Sequence, residues 1–271
     1  MGGASTAADR MRRTGNSSSS TRKLSPSSTS LPQSAFHVER LAFADVVLQR
    51  YRAIIVDICQ KMQTGMADYT HKAATSKAIY LETIAEYDLY CHYVAGLVGE
   101  GLSRLFTASG KESALVGTQL SLSNSMGLLL QKTNIIRDYR EDCEDKRYFW
   151  PREIWGKYGF KEMHEMYAED PSTKERAQWV QTHMVLDALR HTIDALDYLK
   201  LIKNQSVFNF VAIPATMAIA TLELCFMNPT MFERNIKIRK SDAATVSSRT
   251  FLGVTISHPS LSAHTPLDKP P

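Results

Sequence analysis

The chain has 271 residues, a net charge of +4 and a hydrophobic content of 44%. This length admits one large domain or two ordinary ones with a substantial apolar core, and the mild charge does not require a nucleic-acid partner. No pair among the four cysteines has metal-ligand spacing, which favours isolated thiols in a reducing compartment. They are Cys59, Cys91, Cys143 and Cys225.

The first stretch, residues 1–35, is rich in serine, threonine, arginine and proline and has almost no large apolar side chains. Such a segment cannot bury enough surface to offset the entropy of ordering it. We therefore predict a disordered Ser/Arg-rich extension. The alternative is an organelle transit peptide, which has the same arginine-rich and acid-poor composition.

Apolar residues recur every three or four positions from Phe36 onward, which is typical of helices that face a core. The first helix is predicted from Phe36 to about Gly65, with its exit in the polar stretch 70–77. A second is predicted over Ile79–Phe106. It contains three glycines, which indicate either a break or a place where another helix or a ligand approaches closely. They are Gly96, Gly99 and Gly101.

Three more long helices are predicted after a loop at 110–121. They are Leu122 to about Glu144, Thr173–Ile202 and Val207–Met227, the last beginning after an Asn204 boundary. No alternating strand pattern of useful length is present, so the predicted class is all-α. Residues 241–271 are predicted to be a disordered tail, which leaves 36–240 as the helical domain.

The most membrane-like run, Phe208–Met227, is interrupted by Asn209, Pro214 and Glu223. A membrane-spanning helix requires about 20 predominantly apolar residues. We therefore interpret this run as a buried helix and expect no transmembrane segment in this chain.

A D-x-x-E-D motif, formed by Asp138, Glu141 and Asp142, lies on the Leu122–Glu144 helix. Spacings of three and four residues direct these carboxylates to one helical face. Because they repel one another, they suit either a solvated helix end or a cation, and Mg²⁺ accepts a few carboxylates together with substrate phosphates. Nearby polar and basic residues add donors that suit diphosphate oxygens. They are Gln131, Asn134, Arg137 and Arg147.

Five segments together resemble the squalene synthase family, in consistent order over about Leu41–Lys240. They are Tyr90–Gly99, Leu130–Asp138, Arg147–Pro151, Asn204–Phe210 and Lys237–Lys240. The resemblance implies an isoprenoid synthase-type helical bundle. It also implies the head-to-head condensation of two farnesyl diphosphates through presqualene diphosphate, and NADPH reduction to squalene for sterol biosynthesis, with Mg²⁺ required. The family is anchored in the endoplasmic reticulum membrane, which is the location that the resemblance implies; if the truncated form is real, we expect it to be cytosolic or unstable.

The same resemblance implies roles for individual residues. Asp138, Glu141 and Asp142 correspond to a motif that holds Mg²⁺ against diphosphate, while Gln131, Asn134 and Arg147 correspond to the polar shell of the diphosphate. Tyr90 corresponds to the tyrosine of the first half-reaction, as proton acceptor or cation stabiliser, and Phe210 to the aromatic that shields the cation of the second. Arg137, Lys237 and Arg239 correspond to basic positions for the NADPH phosphates. Without the resemblance, Tyr90 and Phe210 are ordinary core aromatics, and Lys237 and Arg239 are ordinary surface charges.

The chain also departs from the family pattern. The family carries two acidic motifs on facing helices, and no D-x-x-[DE]-D precedes Asp138 here. We therefore expect a bundle truncated at both ends, with the N-terminal helices missing, an uncovered apolar face and poor stability as a free monomer. Activity is expected to be impaired, because loss of one electrostatic element costs a factor of about 100 to 1,000 in rate. Val211 replaces a small thiol side chain common in the family, which is a minor change.

Two other functions are compatible with parts of the pattern. A phytoene synthase-type prenyltransferase shares the acidic helix but does not use NADPH. The Lys237–Arg239 pair and the Asn204–Phe210 segment argue against it. The other is a non-catalytic paralogue that binds prenyl diphosphate or a partner protein.

Overall fold

The computed structural model describes residues 33–76, 78–167, 170–245 and 248. The chain divides into two units, Met1–Ala42 and Phe43–Pro271. Of the first unit only the beginning of the first helix is described, so the disorder predicted for 1–35 falls almost entirely outside the described residues. The second unit contains the core.

The described residues are predominantly helical, which confirms the all-α prediction. The α-helices are α1 Gln33–Ser76, α2 Ile84–Cys91, α3 Leu97–Ala108, α4 Ala114–Thr118, α5 Leu120–Arg137, α6 Tyr139–Glu144, α7 Arg152–Trp155, α8 Pro171–Leu189, α9 Thr192–Leu201 and α10 Gln205–Cys225. A π-helical segment, His92–Gly96, joins α2 to α3, and short 3₁₀ helices cover Gly156–Tyr158, Met163–Tyr167 and Pro229–Phe232. Two strands, β1 Ile79–Tyr80 and β2 Arg147–Tyr148, pair in parallel. Each has two residues, too few for an alternating pattern.

Helix α1 continues through Gly65 and ends at Ser76, so Gly65 does not mark its end, whereas the end does fall in the polar stretch 70–77 that was predicted as the exit. A Cβ atom on Gly65 would lie 2.2 Å from the ring of Tyr93. This glycine therefore makes room for a neighbouring aromatic ring inside a helix.

The predicted Ile79–Phe106 helix was also wrong as a continuous element. It begins with β1, and α2 starts only after Thr83, whose side chain accepts a hydrogen bond from the backbone N–H of Glu86 at 3.0 Å. This is an ordinary N-cap.

Of the two explanations that the sequence left open for the glycines in this region, close approach between helices holds for Gly96 and Gly99. A Cβ on Gly96 would lie 2.0 Å from Asn124 Oδ1, and one on Gly99 would lie 2.3 Å from the carbonyl oxygen of Ser123. Both neighbours belong to α5, and Gly127 of α5 approaches the carbonyl oxygen of Ala95 in the same way. The α3–α5 contact therefore depends on glycine from both sides.

Helix α5 is the central element, since α2, α3, α8, α9 and α10 all pack against it. It ends at Arg137, and Asp138 (φ −90°, ψ 13°) separates it from α6. The backbone N–H of Asp138 still donates to Asn134 and that of Asp142 to Asp138, each at 2.9 Å. The predicted Leu122–Glu144 helix is therefore kinked at a single residue.

The predicted Thr173–Ile202 helix is interrupted at Arg190 and His191, between α8 and α9. The boundary predicted at Asn204 is confirmed, because its side chain caps α10 by accepting from the N–H groups of Ser206 and Val207. Among the described residues, α10 alone is long and apolar enough to cross a membrane, a property that the core helices of many globular proteins share. Residues 240–245 are helical, whereas the tail had been predicted to lack a helix; residues 249–271 lie outside the described part.

Candidate functional site

Asp138 lies at the α5–α6 kink, where three hydrogen bonds fix its carboxylate. Arg137 donates from Nε to Oδ1 at 2.8 Å and from Nη2 to Oδ2 at 2.7 Å. Asn235 donates to Oδ1 at 2.7 Å. Hydrogen bonds with an ionised partner are among the strongest in proteins, so this carboxylate is held in one orientation.

Asp142 is buried one turn further along, with 7% of its surface exposed. Arg147 donates to its Oδ1 from Nε at 3.0 Å and from Nη2 at 2.8 Å. Burial raises the pKa of Asp142 to about 6 even though Arg147 lowers it, and the charge of Asp138 adds to the rise. Because both arginine bonds go to Oδ1, Oδ2 stays available as a ligand.

Glu141 is exposed and makes no side-chain hydrogen bond with the described residues. The kink at Asp138 means that the three carboxylates do not project from one straight helix. Within the described ranges no three His, Cys, Asp or Glu side chains form a group that could hold a metal ion. The oxygen donors suit Mg²⁺ only if phosphate oxygens complete the coordination, which is how this ion usually binds.

Tyr90 is buried at the end of α2, between two other aromatic rings. Its ring is 5.2 Å from that of Tyr69, edge-on, and 4.8 Å from that of Phe149, stacked. Burial raises the pKa of Tyr90 to about 12; the charge of Asp142 raises it further and that of Arg147 lowers it. Tyr90 is therefore a neutral phenol at neutral pH, and the charges of Asp142 and Arg147 act on its hydroxyl.

An apolar cavity of about 320 Å³ lies between α3, α5 and α10. It is lined by Val94, Ala95, Val98, Gly99, Leu102, Phe106, Ser123, Met126, Gly127, Leu130, Gln131, Asn134, Tyr198, Phe210, Val211 and Pro214. The structure thus brings Gln131, Asn134 and Phe210 to one cavity, which Arg147 and Tyr90 do not line. The Tyr198 hydroxyl is satisfied by Ser103 at 2.6 Å. Asn134 connects the cavity to Asp138, which follows it by one helical turn.

Lys237 and Arg239 line a second, open cleft of about 860 Å³ at the C-terminal end of α10. Asn235, two residues before Lys237, ties this segment to Asp138. Arg137 turns toward Asp138 and does not line the cleft. The three predicted cofactor residues are therefore divided, with two in the cleft and one on the acidic motif.

The sequence reasoning missed a buried ion cluster around Lys132. Its ammonium group is fully buried, donates to Asp88 Oδ1 and to Asp187 Oδ2, both at 2.5 Å, and lies 4.7 Å from the centre of the Tyr87 ring. Arg190 pairs with both carboxylates, at 2.8 Å to Asp187. The cluster connects α2, α5 and α8. The available signal was a lysine spaced three and four residues from apolar positions on both sides.

The comparisons with known proteins agree on one family. The model of the squalene/phytoene synthase family matches residues 7–242. Squalene synthase of Ganoderma lucidum is 59% identical over 209 residues, which cover 73% of this chain and 44% of that protein. Squalene synthase of Rattus norvegicus is 48% identical over 198 residues, which cover 73% and 45%. The chain spans about half the length of the curated relatives that it matches.

Solved structures extend the similarity to the fold. A complex of TcSQS with the ligand BPH1237 superposes with a TM-score of 0.68 at 42% identity, covering 75% of this chain and 57% of that one. A dehydrosqualene synthase in complex with a ligand has a TM-score of 0.55 at 16% identity, over 74% and 65% of the two chains. At that identity the likeness concerns the fold alone.

Proposed function

Because the chain belongs to the squalene/phytoene synthase family, we propose that it binds farnesyl diphosphate and condenses two molecules to squalene through presqualene diphosphate. This reaction needs a polar end for diphosphate and an apolar pocket for prenyl cations. Water must be excluded from that pocket, because a carbocation is otherwise quenched. The proposal includes the NADPH reduction that yields squalene and a place in sterol biosynthesis.

The observation that carries the proposal is the position of the apolar cavity one helical turn from Asp138. Gln131 and Asn134 line the cavity as polar groups in a largely apolar wall. Asp138, Asp142 and the arginines that hold them follow directly. A prenyl diphosphate with its tail in the cavity has its charged end at this cluster.

The residues fit Mg²⁺ as a partial set of ligands. Asp138 and Oδ2 of Asp142 would hold the ion together with diphosphate oxygens; Glu141 stays a proposed ligand, although the three side chains do not form one metal-binding group in the described structure. When bound, Mg²⁺ neutralises negative charge that develops on the leaving diphosphate. Arg147 orients Asp142, and its own charge adds to the positive potential there.

The open cleft fits the phosphates of NADPH, which supplies hydride when bound. Lys237 and Arg239 would hold these phosphates, because both cations line the same cleft. Tyr90 lies within the electrostatic influence of Asp142 and Arg147, and its proposed role in the first half-reaction rests on the family resemblance. Phe210 offers an aromatic face at the cavity.

The test is to incubate the purified chain with labelled farnesyl diphosphate, Mg²⁺ and NADPH. Formation of squalene supports the proposal. The rate of squalene formation, divided by that of a full-length relative, measures the expected loss of activity. Presqualene diphosphate or a phytoene-type product as the only product would redirect it to the phytoene synthase-type reaction. Binding of prenyl diphosphate without turnover would support the non-catalytic paralogue.

The metal role has its own test. We expect Asp138→Ala to weaken Mg²⁺-dependent binding of farnesyl diphosphate by more than about tenfold, because it removes an oxygen ligand. Glu144→Ala is the matched control, since Glu144 is an exposed acid of α6 that pairs with Arg140. Equal affinities for the two variants would contradict the metal role.

Association with the endoplasmic reticulum remains a proposal that rests on the family, to be checked by localising the tagged chain.

A further inference from the structure

Two aromatic residues separate the interior cavity from a second apolar groove on the surface. The groove has a volume of about 500 Å³ and is lined by side chains of α1, α3 and α10, including Tyr51, Ile55 and Leu105. Phe106 and Phe210 line both spaces. Their ring centroids are 6.1 Å apart in an edge-to-face arrangement.

The groove contains apolar side chains that the fold leaves exposed to solvent. Phe210 is 59% exposed and Ile55 is 50% exposed, although both belong to helices that pack in the bundle. Aromatic rings in an edge-to-face contact attract one another beyond the effect of their burial. The two rings therefore stay in contact, and truncating either one removes the contact.

The volume of the interior cavity matches one short prenyl tail. An apolar cavity of 150 Å³ holds a benzene ring, so on this scale about 320 Å³ holds about 13 carbon atoms. A farnesyl tail, with fifteen carbons, exceeds this estimate by only about two carbons, whereas a geranylgeranyl tail, with twenty, exceeds it by about seven. The excess carbons have one adjoining apolar space, which is the groove behind the two rings.

We infer that Phe106 is a chain-length gate: its ring closes the end of the prenyl cavity and limits the tail to about fifteen carbons. This inference rests on the proposed function, because it assumes that the cavity holds a prenyl tail. Phe106 is the informative member of the pair, since Phe210 already has an expected role beside the cation. Removing the Phe106 ring joins the cavity to the groove and admits a longer tail.

The experiment compares the affinities of the farnesyl and geranylgeranyl thiolodiphosphates, which ionise slowly, by isothermal titration calorimetry with Mg²⁺. For Phe106→Ala we expect affinity for the twenty-carbon analogue, relative to the fifteen-carbon one, to rise at least about tenfold over the wild-type ratio. Phe208→Ala is the matched control: Phe208 is also a partly buried phenylalanine but lines neither space, and the ratio should stay within about twofold.

The outcomes separate this inference from the proposed function. If the wild type binds the farnesyl analogue but the ratio for Phe106→Ala does not rise, the gate is wrong and the prenyl site stands. If the wild type binds neither analogue, the proposed function fails and the gate with it. If Phe106→Ala melts below the assay temperature, Phe106→Leu replaces the ring with a smaller aliphatic side chain and loses less packing. An unchanged affinity ratio in that variant overturns the gate.

Discussion

Replacing Lys132 with methionine is the most informative perturbation of this fold. Methionine keeps much of the length and the apolar stem of lysine but removes the ammonium group. Lys132 is the one residue of α5 that donates to both Asp88 and Asp187, each at 2.5 Å. In its absence Arg190 alone faces two carboxylates, and the side chain of Asp187 is only 8% exposed.

The cost follows from the burial of the cluster. Breaking a buried ion pair by removing one partner costs about 3–5 kcal/mol, because the other charge is left uncompensated. Asp88 retains 31% exposure and Arg190 retains 45%, so water and the arginine relieve part of the imbalance. We therefore expect a loss near the lower limit, about 3 kcal/mol, which for a domain of this size lowers Tm by about 6–12 °C.

The assay is thermal unfolding followed by circular dichroism at neutral pH. Lys61→Met is the matched control, since Lys61 also bridges two carboxylates, Asp57 at 3.2 Å and Glu100 at 2.9 Å, but is 43% exposed. Exposed ion pairs contribute about 0–1 kcal/mol, so this variant should lose less than about 4 °C. Adding Asp187→Asn to Lys132→Met restores the charge balance and should recover part of the loss. Equal losses for the two lysine variants would refute the reasoning.

Three other predictions concern pH, capping and chemistry. Burial lowers the pKa of His191 to about 4, and the charges of Lys132 and Arg190 contribute to the shift. Below pH 6.5 the unfolded chain therefore binds a proton at this residue that the folded chain does not bind until about pH 4. The free energy of unfolding should fall over this window, by about 2 kcal/mol between pH 7.5 and 5. Urea unfolding at the two pH values should show a smaller drop for His191→Asn, and an equal drop would contradict this origin. Glu112→Ala should cost about 2 kcal/mol in urea unfolding, because the buried carboxylate of Glu112 accepts the N–H groups that precede α10, and Glu112→Gln should cost less. Tyr90→Phe should reduce product formation by about 100-fold or more with unchanged farnesyl diphosphate affinity if the hydroxyl accepts a proton; unchanged turnover would leave the ring alone as the functional group.

Local patterns in the sequence were enough for the fold class and for several details. The three- and four-residue apolar spacing predicted the helices, and Asn204 predicted the start of α10. Gly96 and Gly99 indicated either a break or a close approach, and α5 makes the close approach. These features depend on residues near one another in sequence, where helical periodicity and capping act.

The features that the sequence did not predict depend on distant partners. Asp138 receives a hydrogen bond from Asn235, 97 residues away, and Lys132 reaches Asp187 over 55 residues. Nothing local distinguishes Gly65 as a helix interior, because the reason is the ring of Tyr93 against it. The kink at Asp138 was likewise not predictable, because the helical hydrogen bonds continue on both sides of it.

The ion cluster and the candidate site are linked through the rotation of α5. Successive residues of a helix project about 100° apart, so Lys132 faces a different side from Gln131, while Asn134, three residues from Gln131, shares its side. Burying Lys132 between Asp88 and Asp187 therefore fixes the rotation that turns Gln131 and Asn134 into the apolar cavity. A helix rotated by one residue would move the Lys132 ammonium group away from both carboxylates, and a buried charge without a partner is costly. The cluster that the sequence reasoning missed thus sets the orientation of the residues that it found.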